Sequence, residues 1–262
     1  MEHADRTEGL RALIRQGLQA VSQQNTATHL GDRSTYVGMS DIGQHWECPR
    51  AALARKVLPT TDNLERLLIL QRGHWFESGV GQALASLGLH VLPQLEINWQ
   101  HQGVPIKAHL DFVLVWGAPV NVIRILEVKS TDKLPDTPHD SHLLQLHGQI
   151  GLLAMAWDKP AFSLRAEDGT LLHDKLTFPQ LCRAQFGLQL PATAAEASVE
   201  AWLLCLSMKE VKAFGPYGFN QAMLDTALDH AAQLWGELAD FRAGHTALAQ
   251  VDCAQGFYPL CS

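Results

Sequence analysis

Two carboxylates and a lysine are the residues of this chain most suited to chemistry. Asp111 lies within an apolar stretch, residues 104–116, and Glu127-Val128-Lys129 closes a second one that begins at residue 122. Both stretches are rich in β-branched and aromatic side chains, and Gly117, Pro119 and Asn121 between them are turn formers. The pattern predicts a hairpin with a loop of about five residues. A loop centred near Pro119 sets Asp111 opposite Glu127 and His109 opposite Lys129. Side chains alternate along a strand, so Asp111 shares a face with His109, and Glu127 with Lys129. Directly opposed Cβ atoms are about 5 Å apart. Two carboxylates that close repel, and one takes up a proton unless a cation lies between them. Oxygen ligands suit Mg²⁺ or Mn²⁺. Lys129 beside such an ion could orient or deprotonate a water. The plain alternative is a solvated polar face on an edge hairpin, since Glu-x-Lys is common. What favours a site is that this polar pair ends an apolar run broken only by Arg124, with an Asp opposite.

Length and composition bound the rest. The chain has 262 residues, 47% of them hydrophobic, enough for one large domain or a domain with an appended one. Its net charge of −7 gives no general attraction to nucleic acid or anionic membranes. Any DNA contact must use a local basic cleft or metal ions that bridge phosphates. No apolar run reaches the length of about 18 residues that a membrane helix needs. The first residues, MEHADRTEG, lack the apolar core of a signal peptide. Five scattered cysteines suggest a reducing compartment and metal ligation rather than a disulfide framework. The expected location is the cytoplasm.

Several elements must position the carboxylates. Leu10, Leu13, Ile14, Leu18 and Val21 recur at helical spacing and predict an amphipathic helix over 7–23, followed by a polar linker over 24–37. Ser40-Asp41 can cap a short helix, and 51–58 reads as another that stops at Pro59. Thr61-Asp62-Asn63 opens a long helix to about Leu87, closed by Gly88. A strand over 89–99 precedes the hairpin, and Ser141 begins a helix that ends near Trp157. Residues 161–191 show little beyond a turn at Glu167-Asp168-Gly169-Thr170. A strand over 199–209 pairs with 211–214, Gly215-Pro216-Tyr217-Gly218 breaks the chain, and a helix covers 220–242 before an irregular tail. This order predicts an α/β protein with a mixed sheet flanked by helices on both faces. It divides into an N-terminal helical region (1–87), a core (88–214) and a C-terminal helix with a cysteine-containing tail (215–262), packed as one unit.

In this setting the chain resembles the PD-(D/E)xK nuclease superfamily, and within it the RecB-like exonucleases, including the CRISPR-associated ones. Cys48-Pro49-Arg50 matches the family's N-terminal cysteine motif, and Gly73-His74 through Glu77 its helical histidine motif. His109-Leu110-Asp111 followed by Glu127-Val128-Lys129 matches the core nuclease motif. Gln145 matches the glutamine of a Gln-x-x-x-Tyr motif, whose tyrosine is replaced here by Gln149. The resemblance implies a restriction-endonuclease-like fold and an Mg²⁺- or Mn²⁺-dependent deoxyribonuclease, an exonuclease acting on single-stranded or end-bearing DNA. It implies that the Val128 carbonyl and the His74 imidazole join Asp111 and Glu127 as metal ligands. Lys129 would then position the water or stabilise charge on the phosphoryl oxygens, and Gln145 would orient that water or Lys129. Glu77, three residues after His74 on the same helical face, could hold that imidazole or be a plain surface glutamate.

The resemblance also raises an iron–sulfur cluster held by Cys48, Cys253 and Cys261. Such clusters usually take four thiolates. Gly256 stands about where another ligand is expected, while Cys182 and Cys205 are poor candidates. A lost cluster and a three-thiolate zinc site are the competing readings. Trp46, Trp75 and Trp99 could stack on bases or pack in the core, and Arg50, Arg55, Lys56, Arg66 and Arg72 could meet phosphates or simply solvate a helix face. His109, His142 and His147 read as structural. Two other functions compete: a non-catalytic DNA-binding or adaptor protein that keeps the fold, and a restriction-type endonuclease.

Overall fold

The computed structural model describes residues 2–58 and 63–251, with side chains from residue 7. Among them an eight-stranded mixed sheet is flanked by helices, the α/β architecture that the sequence predicts. A long helix α1 (Glu2–Asn25) comes first, then a two-residue strand β1 (Val37–Gly38) and the short helices α2 (Met39–Glu47) and α3 (Pro49–Val57). Helix α4 (Leu64–Ser86) leads into β2 (Val91–His101), β3 (Val104–Trp116) and β4 (Val122–Ser130). After α5 (Asp140–Ala156) come β5 (Phe162–Arg165), β6 (Leu171–Leu176), α6 (Phe178–Phe186), β7 (Ser198–Leu206), β8 (Val211–Tyr217) and α7 (Gln221–Arg242). The sheet order is β6-β5-β2-β3-β4-β7-β8, with β1 parallel to β3. No described helix is long and apolar enough to cross a membrane.

The hairpin register follows the sequence expectation but stops short of it. The β3–β4 ladder runs from Trp116↔Val122 to Phe112↔Leu126 and ends there. Further along, β1 pairs with β3 at Ile106 and Lys107. Strand β3 therefore parts from β4 at Asp111 and leaves a fork. His109 consequently has no partner on β4; its ladder partner is Glu96 of β2. On the other side Gln94, with φ 48°, interrupts the β2–β3 ladder between Pro93↔Phe112 and Leu95↔Leu110. The pleat shifts here. Val104, Ile106, Ala108 and Leu110 enter the main core, then Val113 and Val115 do, while Phe112 and Leu114 join a small cluster beside Val80 and Leu84 of α4.

Helix α5 is the strut behind the fork. It is buried along most of its length and packs on α2 and α7. Glycine permits that closeness, since a Cβ at Gly151 would stand 2.4 Å from Leu224 Cδ1, and one at Gly43 of α2 would stand 2.8 Å from the Ser141 carbonyl oxygen.

Other segments differ from the sequence expectation. The linker at 24–37 holds a helical turn, Thr26–Leu30, and ends in β1. Helix α1 is longer than expected, and its Leu10 and Leu13 are exposed rather than buried. Asp41 is not the cap of α2 but its third residue, where it accepts the N–H of the capping Gly38 at 2.9 Å. It is buried against Lys56 Nζ at 2.6 Å and Arg33 at 2.7 Å, so Lys56 is an internal counterion rather than a phosphate contact. Thr61 and Asp62 lie outside the described residues, as does Pro59, and Asn63 alone is seen to cap α4. Residues 161–191 form β5, β6 and α6, the last opened by a Thr177/Gln180 capping box. Residues 215–217 do not end the sheet, because β8 continues to Tyr217.

Candidate active site in the strand fork

At the fork a side chain takes over where the backbone ladder ends. Asp111 Oδ2 accepts the Val128 N–H at 2.7 Å. In an extended strand the N–H and C=O of one residue point the same way, so the Val128 carbonyl also faces the fork. Glu127, the next residue back on β4, is buried and takes three donors. Lys129 Nζ and Gln145 Nε2 reach its Oε1 at 2.7 and 2.6 Å, and Gln149 Nε2 reaches its Oε2 at 2.7 Å. Lys129 Nζ also donates to Gln145 Oε1 at 3.1 Å. Gln145 and Gln149 can act together because residues four apart on α5 share a face.

The electrostatics of the fork are lopsided. Burial pushes the Asp111 carboxyl well above the usual carboxylate range, and the nearby Glu127 and Glu77 charges push it further. Lys129 and the Val128 N–H pull the other way and do not offset this. For Lys129 itself, burial favours the neutral amine, but the Glu127 and Asp111 charges outweigh it and raise its pKa. The charged ammonium is thus the favoured form of Lys129, a donor rather than a base.

The residues of α4 approach from the other side through a relay. Gln94 Nε2 lies 3.4 Å from Asp111 Oδ1 and 3.5 Å from Glu77 Oε2. Glu77 in turn lies 3.7 Å from His74 Nδ1, and hydrogen bonding to it raises the His74 pKa. The structure therefore brings Asp111, Glu127, Val128, Lys129 and Gln145 together and links His74 to them, among the described residues, through Glu77 and Gln94. Among the described residues, no three His, Cys, Asp or Glu side chains converge as a ready metal cage. The pair at the fork nonetheless fits a hard divalent ion. Its ligands are carboxylate and carbonyl oxygens, among the described residues Asp111 Oδ1 carries just the long Gln94 contact, and burial together with the Glu127 and Glu77 charges raises the Asp111 carboxyl.

Cys48 is buried where α2 meets α3, while Cys253 and Cys261 lie outside the described residues. Burial pushes the Cys182 thiol up to about 12 and raises Cys205 too, so neither is a poised thiolate. Arg50 donates to the Val251 and Ala249 carbonyls, and Arg72 pairs with Asp132 and Ser130. Trp99 packs against the core, Trp46 lies against His230, and Trp75 is exposed on α4. Gln149 and Gln94 were not singled out by the sequence for a role at the site. Gln149 follows Gln145 by one helical turn, which is a usable signal; Gln94 offers none.

The raised Asp111 carboxyl has a pH signature. Its folded-state pKa is raised, so its stabilising contribution is present below the ordinary carboxylate pKa and is lost as pH rises through the raised value. The metal-free protein should therefore melt at progressively lower temperature as pH rises from the ordinary carboxylate pKa to the raised value, and level off beyond it. Mn²⁺ should raise the melting temperature most at the alkaline end, and Asp111→Asn should flatten both trends. Differential scanning fluorimetry across pH, with chelator or Mn²⁺, reads all three; a pH-independent Mn²⁺ shift would count against the site.

No family model matches the sequence, and no curated protein matches it. Among solved structures, the crystal structure of SSO0001 is similar with a TM-score of 0.51 at 12% identity, covering 84% of this chain and 86% of that one. That likeness shows a shared fold. LHK-Exo, solved in complex with dAMP, aligns at a TM-score of 0.40 and 11% identity over 82% of this chain and 96% of that one, too loosely to carry an argument.

Proposed function

We propose that this chain is an Mg²⁺- or Mn²⁺-dependent deoxyribonuclease of the RecB-like PD-(D/E)xK type, acting as an exonuclease on single-stranded or end-bearing DNA. The observation that carries the reading is the fork, where Asp111 bonds the Val128 N–H and Lys129 bonds the neighbouring Glu127. A bound divalent ion would polarise the scissile phosphate and lower the pKa of a water. Asp111, Glu127 and the Val128 carbonyl would hold it, and His74 would join if its helix brought it past Glu77. Lys129, oriented by Gln145 Oε1 at 3.1 Å, directs its ammonium at charge that builds on the phosphoryl oxygens. Gln145 fixes Lys129 and Glu127 relative to each other through one amide. With a net charge of −7, the protein depends on such local positive charge to hold a polyanion. The preference for ends comes from the resemblance in the sequence motifs. Cys48, Cys253 and Cys261 remain a proposed thiolate set, which iron and zinc analysis of purified protein would test.

Labelled linear and covalently closed DNA, single- and double-stranded, incubated with Mg²⁺, Mn²⁺ or chelator, tests the function. Progressive shortening of linear DNA, abolished by chelator, is expected. Cutting of closed circles at fixed sites would move the assignment to an endonuclease. Binding without cutting under every metal condition would leave the adaptor function.

A further inference from the structure

Gln149 stands where the resembled motif carries tyrosine, and its surroundings give it a task. The side chain is fully buried, at 0% exposure. Its Nε2 donates to Glu127 Oε2 at 2.7 Å and approaches the His109 carbonyl, exposed by the fork, at 3.4 Å. A carboxylate oxygen only accepts, so the nitrogen of this amide must be the atom facing Glu127. The amide oxygen is then turned away, buried, and without a hydrogen-bond partner in the protein. A buried acceptor left unsatisfied is costly, and apolar packing alone would be served better by leucine or methionine. The arrangement is favourable only if the donor side matters. One turn earlier, Gln145 Nε2 holds the other oxygen of the same carboxylate at 2.6 Å.

We propose that Gln149 is a positioning residue: with Gln145 it grips both oxygens of Glu127 from one face of α5 and fixes the carboxylate plane toward the fork. The inference rests on the metal-site reading above. Lys129 and Gln145 together occupy Oε1. Oε2 takes a single donor, so it is the oxygen left with an available lone pair. Without the Gln149 donor the carboxylate can turn about its last torsion, and Oε2 is no longer held in one place. Groups that orient a ligand in this way typically affect metal affinity by about 10- to 100-fold.

The test is Mn²⁺ binding to the full chain, by electron paramagnetic resonance or calorimetry, for wild type and Gln149→Met, which keeps the volume and removes the donor. Melting without metal is followed in parallel. Mn²⁺ affinity is expected to fall by about tenfold or more. A purely structural Gln149 would lower the metal-free melting temperature and leave Mn²⁺ affinity unchanged, and that result overturns the proposal. If Gln149→Met does not fold, Gln149→Asn, which withdraws the amide by one methylene, is judged by the same criteria. Wild type that binds no Mn²⁺ would overturn the metal site itself and this inference with it, whereas equal binding by wild type and variant overturns this inference alone.

Discussion

Asp111→Asn should lower DNA cleavage by about three orders of magnitude, at the upper end of what loss of one charge-stabilising group costs, while the fold survives. The two outcomes have a common cause. Asn has the shape of Asp and can still accept the Val128 N–H, now made at 2.7 Å, so the closure of the β3–β4 ladder is kept. What it lacks is the negative charge. That charge is poorly accommodated in the metal-free protein, because burial and the Glu127 and Glu77 charges oppose it. Removing it should leave the metal-free variant as stable as wild type or more so at alkaline pH. Gain in stability with loss of activity is the pattern of a residue retained for function. Steady-state cleavage with Mn²⁺ and melting curves in chelator measure the two sides. Cleavage within tenfold of wild type would remove Asp111 from the site, and a large loss of metal-free stability would make its role structural.

How much of this was legible in the sequence depends on how local the cause is. The hairpin register could be read because it follows from alternation and the position of a turn, and the ladder does run toward Asp111 opposite Glu127. Its early end could not, since that depends on β1 arriving from nearly seventy residues away to pair in parallel with β3. Gln94 is opaque for the same reason: nothing in a strand sequence marks a glutamine for φ 48°. The pairing of Asp41 with Lys56 joins two helices, so Asp41 read as a cap and Lys56 as a free cation. Gln149 was a different kind of miss. Its spacing of four from Gln145 is visible in the sequence, but a motif that expects tyrosine there does not foretell the amide donor it brings to Glu127. The capping box at Thr177 and Gln180 was also in plain view. It was hidden by the weak periodicity around it, although the residues from Phe178 to Cys182 include three that are buried.

Lys129→Met is the second substitution with a large expected effect, and it should act on turnover rather than on binding. The lysine amine touches Glu127 Oε1 at 2.7 Å and Gln145 Oε1 at 3.1 Å, and it is the cation that pulls the Asp111 carboxyl down. It therefore competes with a divalent ion for the same negative charge. Its removal should leave Mn²⁺ affinity unchanged or higher, whereas the metal-free protein loses its counterion and melts at lower temperature as pH rises. Turnover depends on a different property. Charge that develops on phosphoryl oxygens in a site shielded from water is stabilised strongly by a donor already in place, and loss of one such donor costs about 10²- to 10³-fold. Single-turnover cleavage at saturating Mn²⁺, set beside Mn²⁺ titration, separates these effects. A Lys129→Met protein that binds Mn²⁺ like wild type and cleaves at about a hundredth of its rate or less would place the ammonium on the reacting phosphate. One that recovers full turnover at high Mn²⁺ would reduce Lys129 to a counterion for Glu127, with charge stabilisation then left to the metal and its carboxylate ligands.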